Sequence, residues 1–261
     1  MRFIIYCTFP LLLSCSGRKF NSQHFNFDNF QDYSYLLFLG KKHAQSNSIN
    51  GIGTGFFIRE DNKLYLVSAE HVLTGNDPFR VIRVDSLSPD FLVFYYNKTN
   101  DSDKGFENLL LDSIKKTHPP RKIEDHADLI TYPINLPANA QIKSIEGTIS
   151  PSTELNVGDS VFFWGFPKVK AQPDSNTMYY YQNPHPIKYN GVVVGLNDSL
   201  YYASIPDTKQ GASGSPVFVK KIIKGRDRFY FVGVLCAGSE LSEMAFFVKY
   251  KQVLRLINYG Q

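Results

Sequence analysis

The sequence of 261 residues has few sulfur-containing residues and only one tryptophan: three cysteines and three methionines in all. Two of the cysteines, Cys7 and Cys15, lie close to the N-terminus, so Cys236 is the only cysteine in the rest of the chain. The folded part therefore has no partner for an internal disulfide, although disulfides are common in exported proteins. We expect its hydrophobic core alone to stabilise it, which is feasible at this length.

The sequence also lacks runs of like charge and the motifs that bind metals. The formal net charge is +4, and the basic residues are scattered along the chain. This distribution gives no support for binding nucleic acid. An H-E-x-x-H zinc motif is absent. We therefore predict neither a metal nor a cofactor.

The one apolar run at the N-terminus ends at Leu13 and is shorter than the roughly 20 residues that a membrane-spanning helix needs. Its length is typical of a signal peptide. The run closes with Leu12-Leu13-Ser14-Cys15, which resembles the bacterial lipobox. The resemblance implies cleavage before Cys15, lipid attachment to that residue, and a protein anchored in the bacterial cell envelope. The alternative is an ordinary export signal in which Cys15 is incidental.

Aromatic residues are abundant, with 21 phenylalanines and 16 tyrosines. With β-branched residues they form short segments bounded by Gly, Pro, Asn or Asp, a pattern typical of strands. Many short strands favour a sandwich or barrels over a βαβ sheet. The predicted strands are 33–39, 53–58, 63–67, 80–85, 91–97, 108–111, 128–134, 160–164, 177–181, 191–196, 200–204, 217–221, 229–235 and 246–249. Residues 135–157 are predicted to connect two similar halves, and 250–259 has helical periodicity.

The strongest local signal for chemistry is the segment Gly211-Ala-Ser-Gly-Ser-Pro216. Glycines around Ser213 allow a sharp turn, and such a turn can aim the backbone N–H groups of Gly211 and Ser213 at one point. That geometry is what an oxyanion hole requires. The alternative is a polar loop that precedes an edge strand.

Two further segments supply a histidine and a carboxylate. His71 follows an apolar strand segment and Asp128 directly precedes another, and each is a candidate for catalysis or for a structural role. Asp125 and His126 lie near Asp128 and are explained as surface-loop residues. Along the chain, His71 comes first, Asp128 follows 57 positions later (128 − 71), and Ser213 follows 85 positions after that (213 − 128). That order is the one found in chymotrypsin-like triads.

The order also excludes an α/β-hydrolase, which places its serine before the acid and the histidine. All six histidines of this chain precede Ser213.

On these segments the chain resembles the trypsin-like serine peptidases, especially bacterial members without disulfides such as the glutamyl endopeptidases. The resemblance covers about residues 33–258 and rests on five segments in register: Gly53-Thr-Gly-Phe-Phe57, Ser68-Ala-Glu-His-Val72, Ala127-Asp-Leu-Ile130, Gly211-Ala-Ser-Gly-Ser-Pro216 and Gly233-Val-Leu-Cys-Ala-Gly238.

The resemblance implies an all-β fold of two six-stranded antiparallel barrels and a C-terminal α-helix. The organisation is then a signal peptide (1–14), a tether (15–32) and a peptidase domain (33–261). Within that domain we expect barrel one at about 33–145, barrel two at about 155–249 and the helix at 250–259.

The implied function is that of a serine endopeptidase, which hydrolyses a polypeptide substrate through a covalent acyl-enzyme. A catalytically silent module of the same fold that binds peptides or proteins is the alternative. We expect a monomer whose membrane contact is its lipid anchor.

The resemblance also implies a substrate pocket. Asp207 lies six residues before Ser213, where trypsin-like enzymes hold a lysine or arginine of the substrate. Because it follows Pro206, a turn residue is the alternative and is slightly favoured. The other residues assigned to the pocket are Gln210, Cys236, Ala237 and Gly238. Glu70, beside His71, either perturbs the histidine or points to solvent.

Overall fold

The computed structural model describes residues 27–43, 47–75, 89–99, 104–111, 128–146, 154–167, 185–239 and 242–258. The predicted signal peptide with Cys15, most of the tether, and the predicted strands 80–85 and 177–181 lie outside the described residues. Asp125 and His126 also lie outside them.

The described part of the chain consists mainly of strands. The strands are β1 (Tyr35–Lys42), β2 (Asn47–Glu60), β3 (Lys63–Ser68), β4 (Phe91–Lys98), β5 (Lys104–Leu110), β6 (Ile130–Ile134), β7 (Ala140–Gln141), β8 (Ser144–Glu146), β9 (Ser160–Gly165), β10 (Ile187–Leu196), β11 (Leu200–Ser204), β12 (Pro216–Ile223), β13 (Arg226–Ser239) and β14 (Met244–Lys249). The helices are a 3-10 helix (Phe27–Tyr33), α1 (Glu70–Thr74) and α2 (Tyr250–Asn258). None of these described helices has the length and apolar character needed to cross a bilayer.

The first half forms one curled sheet in the order β5-β4-β1-β2-β3-β6, with β7 beside β4 and β8 beside β2. Strand β2 is long enough to pair with β1 along its first part and with β3 along its last part, so the sheet bends at this strand. Among the described residues no pairing joins the end strands β5 and β6. Within the described residues the predicted first barrel is therefore a curled half-barrel.

The second half forms a closed antiparallel barrel in the order β10-β11-β14-β13-β12-β9. Alternate residues of its strands point inward, as the buried pairs Val161 and Phe163, and Val217 and Val219, illustrate. The predicted all-β class, the second barrel and the C-terminal helix are confirmed.

One hydrophobic cluster joins the two halves and so fixes their relative position. It contains Phe56, Tyr65 and Leu129 from the first half, and Phe162 and Phe231 from the second. Helix α2 closes this cluster with one apolar face, and it contacts β13, β14 and β6. The residues of that face are Tyr250, Val253, Leu256 and Ile257.

The 3-10 helix is held in the same cluster by Phe30, which is 1 % exposed. The ring of Phe30 lies 4.9–6.0 Å from four aromatic rings of the second barrel, those of Phe162, Trp164, Phe218 and Phe229. The segment that precedes β1 therefore crosses to the second half of the molecule.

Replacing Phe30 tests whether this contact stabilises the fold. We expect Phe30→Ala to lower the free energy of unfolding by about 3–5 kcal/mol, because it removes a buried aromatic ring and leaves a cavity. Urea denaturation measures the change. Phe106→Ala is the matched control, since Phe106 is 62 % exposed and should change stability by about 0.5 kcal/mol or less. Equal losses in the two variants would contradict this role for Phe30.

Candidate active site

His71 is positioned by the short helix α1, which begins directly after β3. Ala69 at the N-cap has an extended backbone (φ −68°, ψ 142°), and Gly75 ends the helix in the left-handed region (φ 70°). The Gly75 N–H donates to the His71 carbonyl at 2.9 Å. The C-terminal end of the helix is thus capped, and His71 stands in the first turn.

Asp128 reaches His71 because β3 and β6 are neighbours, with Ser68 opposite Ile130. The Asp128 carboxylate is fully buried. Its Oδ2 lies 2.6 Å from Nδ1 of His71, and its Oδ1 accepts the His71 backbone N–H at 2.9 Å. A carboxylate can only accept, so Nδ1 is the donor and Nε2 is the unprotonated nitrogen of the neutral ring. Asp128 therefore orients His71 so that Nε2 is the ring nitrogen that can accept a proton.

Ser213 lies in a turn whose backbone is fixed by several hydrogen bonds. The Ser215 hydroxyl donates to the Ala212 carbonyl at 2.5 Å. The Gly214 N–H donates to the Leu235 carbonyl at 2.7 Å, and the Leu235 N–H donates to the Ser215 carbonyl at 3.0 Å. The turn is thereby attached to β13 immediately before β12 begins.

Thr54 of β2 connects this turn to the first half of the molecule. Its N–H donates to the Ser213 carbonyl at 3.0 Å, and its hydroxyl donates to the Gly211 carbonyl at 2.8 Å. The same hydroxyl accepts the Phe166 N–H at 3.0 Å, and the Ser68 hydroxyl donates to the Thr54 carbonyl at 2.8 Å. Thr54 is fully buried. These bonds bring Ser213 to the end of the strand that leads into α1.

Sequence reasoning gave no role to Thr54 or Ser68, although both lie in segments that carry the family resemblance. A signal was present in each case. Thr54 is a polar residue between two glycines, and Ser68 ends an apolar strand. Buried hydroxyls in such places are expected to hydrogen-bond to backbone.

The N–H groups of Gly211 and Ser213 donate no hydrogen bond to any described residue. Gly211 has φ 95°, a conformation that glycine adopts readily, and both residues are half-buried. No hydrogen bond joins the Ser213 hydroxyl to a described residue, the His71 ring included. Catalytic hydrogen bonds are often long in unliganded sites and shorten when substrate binds.

Residues 53–221 match the family model of the trypsin-like peptidase domain, which is more than half of the 261 residues. The chain belongs to the trypsin-like peptidase family. The matched region includes His71, Asp128 and Ser213. A comparison with curated proteins gives no match.

Two of the residues assigned to the substrate pocket of this trypsin-like peptidase domain, Asp207 and Gln210, are exposed. Asp207 lies in a turn with φ 59°, a location that agrees with the turn interpretation. The exposed Gly238 approaches Thr208 closely, because a Cβ added to the glycine would lie 2.9 Å from the Thr208 Cγ2. The end of β13 thus lies beside Thr208. The carboxylate of Asp207, which a pocket for lysine or arginine would need to be buried, is on the surface instead.

Of the other two pocket residues, Ala237 is half-buried and Cys236 is fully buried at a β-bulge of β13. The Cys236 thiol donates to the Phe246 carbonyl at 3.1 Å. Burial raises the pKa of the Cys236 thiol, and the negative charge of Asp128 raises it further. The thiol therefore stays protonated, and it lies near enough to Asp128 to experience its charge.

Glu70 does not point to solvent, since only 6 % of the residue is exposed. Burial raises the pKa of the Tyr132 hydroxyl, and the negative charge of Glu70 raises it further. Glu70 therefore lies near Tyr132 on β6. It stands in the first turn of α1, where a negative charge is favourable.

Replacing Gly214 should disrupt the attachment of the turn that carries Ser213. Gly214 has φ 90°, and a Cβ there would collide with the Thr54 carbonyl oxygen and the Ser68 hydroxyl. We expect Gly214→Ala to lower the free energy of unfolding by about 2–6 kcal/mol, from backbone strain plus overpacking. Thermal and urea denaturation measure this loss.

Gly225→Ala is the matched control for the strain alone. Gly225 also has positive φ (73°), but a Cβ there would meet nothing within 4 Å. We expect a cost of only about 1–2 kcal/mol. Similar losses in the two variants would mean that the close approach to Thr54 contributes nothing.

Proposed function

We propose that the protein is a serine endopeptidase with His71, Asp128 and Ser213 as its catalytic triad. The observation that carries this proposal is the pair of hydrogen bonds, at 2.6 and 2.9 Å, from His71 to the fully buried Asp128 carboxylate. A carboxylate is rarely buried without partners, because the desolvation of the charge is costly. Here the backbone N–H and the Nδ1–H of His71 both donate to the carboxylate and offset that cost. They also hold the ring in the orientation that a general base needs.

In the acylation step the Ser213 hydroxyl attacks the carbonyl carbon of the scissile peptide bond. His71 Nε2 takes the hydroxyl proton as the new C–O bond forms, because a serine hydroxyl is a poor nucleophile on its own. The His71 imidazolium is stabilised by Asp128. It then donates the proton to the leaving amine nitrogen as the C–N bond breaks, which leaves an acyl-enzyme.

Negative charge develops on the former carbonyl oxygen in this step. The N–H groups of Gly211 and Ser213 have no partner among the described residues, so they are available to that oxygen. Each such donor contributes about 3–4 kcal/mol to transition-state stabilisation in enzymes of this kind.

The acyl-enzyme is hydrolysed by the reverse sequence of proton transfers. Water takes the place of the leaving amine, His71 accepts a proton from it, and the resulting hydroxide adds to the ester carbonyl. The proton returns to the Ser213 oxygen when the C–O bond breaks.

Covalent labelling distinguishes this enzyme from a silent binding module. We expect a fluorophosphonate to label the wild-type protein at Ser213, because only an activated serine displaces fluoride at a useful rate. Ser204, a half-buried serine on β11 of the same barrel, is the internal control and should remain unlabelled. Peptide mapping by mass spectrometry locates the modification. A folded protein that takes up no label would support the silent module.

We propose further that Asp207 does not select a basic residue of the substrate. Its carboxylate is exposed on a turn, where water screens its charge and weakens any pairing with lysine or arginine. A panel of peptides varied at the residue before the cut should show no preference for lysine or arginine. Asp207→Asn should leave the ranking of the peptides unchanged.

For the location we propose lipid attachment at Cys15 in the bacterial cell envelope, on the basis of the lipobox-like Leu12-Leu13-Ser14-Cys15. Mass spectrometry of the protein purified from bacterial membranes tests this proposal. It should give an N-terminal peptide that begins at Cys15 and carries acyl chains. An unmodified peptide that begins elsewhere would contradict lipid attachment.

A further inference from the structure

Among the described strands, the β12–β13 hairpin extends beyond the second barrel as an arm. Strand β12 pairs with β9 only as far as Val219, and β13 begins to pair with β14 only at Gly233. Between these points the two strands pair with each other, from Lys220 opposite Phe229 to Ile223 opposite Arg226. We call residues 220–228 the basic hairpin.

The basic hairpin carries five of the basic residues of the chain and one acid. The cations are Lys220, Lys221, Lys224, Arg226 and Arg228, and the acid is Asp227. Lys220 pairs with Asp227 at 2.7 Å, and Lys221 pairs with Asp159 at 3.6 Å. The net charge of the hairpin is thus +4 (5 − 1). Its two tip cations, Lys224 and Arg226, have no acidic partner among the described residues.

Between these cations and the barrel lie two exposed isoleucines. Ile222 is 73 % exposed and Ile223 is 42 % exposed. Because consecutive residues of a strand point to opposite faces, the two side chains project on opposite sides of the hairpin. A groove on a partner protein would cover one face of the hairpin and leave the isoleucine on the other face exposed to water. A lipid surface entered by the tip would cover both.

The start of the described chain lies at the base of the same hairpin. The Phe30 ring is 5.1 Å from that of Phe229 and 4.9 Å from that of Phe218, the residues that lead into the arm. Only 12 residues (27 − 15) separate Phe27 from Cys15, a span of at most about 40 Å. A lipid on Cys15 and the tip of the hairpin can therefore reach one membrane surface.

We infer that the basic hairpin is a membrane-contact element, which inserts Ile222 and Ile223 just below the headgroups of an anionic lipid surface, while the long side chains of Lys224 and Arg226 extend back from the tip to bind those headgroups. Burial of apolar side chains and attraction of cations to anionic lipid both strengthen a contact of this kind. The contact also orients the protein. Strand β12 runs seven residue steps from Pro216 beside the catalytic turn to Ile223, which holds the turn about 23 Å from the tip. The inference does not depend on peptidase activity.

An environment-sensitive label at the tip tests this contact in the full-length protein as the bacterium processes it. Ile222→Cys is labelled with nitrobenzoxadiazole, and Ile49→Cys is the matched control, an isoleucine of the first sheet that is 47 % exposed. The native Cys236 is fully buried and should not be labelled. With vesicles of phosphatidylethanolamine and phosphatidylglycerol we expect a blue shift of the label at 222 and none at 49. Raising the salt concentration should reverse the shift.

The charges are tested in the same labelled protein by Lys224→Gln with Arg226→Gln. We expect the ratio of inserted to free tips to fall about thirtyfold, which is about 2 kcal/mol for two cations at an anionic surface. Flotation with phosphatidylcholine vesicles, which carry no net charge, measures membrane binding through the lipid anchor alone. If the protein floats with anionic vesicles while the label at 222 keeps its aqueous emission, the membrane contact is wrong and the anchor stands. A protein that floats with neither kind of vesicle would overturn both.

Discussion

Ser213→Ala should abolish peptide hydrolysis and leave the fold almost unchanged. The substitution removes the nucleophilic oxygen, and loss of such a serine lowers kcat on the order of 10⁴- to 10⁶-fold. The Ser213 hydroxyl makes no hydrogen bond to a described residue, so its loss leaves no described group unpaired. The carbonyl that accepts the Thr54 N–H at 3.0 Å is retained. We therefore expect a thermal midpoint close to that of the wild type.

Ser215→Ala is the matched control and should show the reverse pattern. The Ser215 hydroxyl is fully buried and donates to the Ala212 carbonyl at 2.5 Å. Its removal should lower the free energy of unfolding by about 1 kcal/mol, the typical net contribution of one hydrogen bond. Most of the activity should remain, since Ser215 is not a reacting group. Rates of cleavage and urea midpoints for both variants give the comparison, and substantial cleavage by Ser213→Ala would remove Ser213 as the nucleophile.

The structure joins His71 and Asp128, the pair that the order of residues and the family resemblance together predicted. Asp128 precedes an apolar strand and His71 follows one, and two adjacent strands place those ends side by side. Sequence separation alone does not give that adjacency. The resemblance to the trypsin-like family supplied it, because it implied which strands are neighbours. The short segments of aromatic and β-branched residues, bounded by Gly, Pro, Asn or Asp, likewise predicted an all-β fold.

Other features could not be predicted because they depend on tertiary contacts. Thr54 can hydrogen-bond to the turn that carries Ser213 only because β2 passes that turn in one particular register. Asp207 is exposed on a turn with a left-handed backbone at φ 59°, and a motif offset of six residues does not reveal that placement. The basic hairpin has the residue pattern of an ordinary strand pair. Its isolation follows from where β9 and β14 stop pairing with it.

Asp128→Asn should lower kcat by about 10⁴-fold while KM changes little. The amide has the shape of the carboxylate, and its oxygen can still accept the His71 backbone N–H. Its NH₂ group would then face Nδ1 and make that nitrogen the acceptor. The ring proton moves to Nε2, and His71 can no longer take the proton of Ser213. Because Asp128 is fully buried, it does not touch substrate, so binding should be spared. Steady-state kinetics on one cleaved peptide measure both constants.

Asp128→Ala separates orientation of the ring from stability of the fold. This variant leaves both the backbone N–H and the Nδ1–H of His71 without their acceptor, and a buried unsatisfied donor costs about 1–3 kcal/mol. We therefore expect Asp128→Ala to lower both the activity and the free energy of unfolding. Asp128→Asn should lower the activity with little change in stability, because the loss of the charge-assisted hydrogen bond is offset by the removal of a buried charge. If Asp128→Asn kept the wild-type kcat, the bond of 2.6 Å would be structural only. His71 would then not be oriented by Asp128 for proton transfer, and the triad mechanism would be wrong.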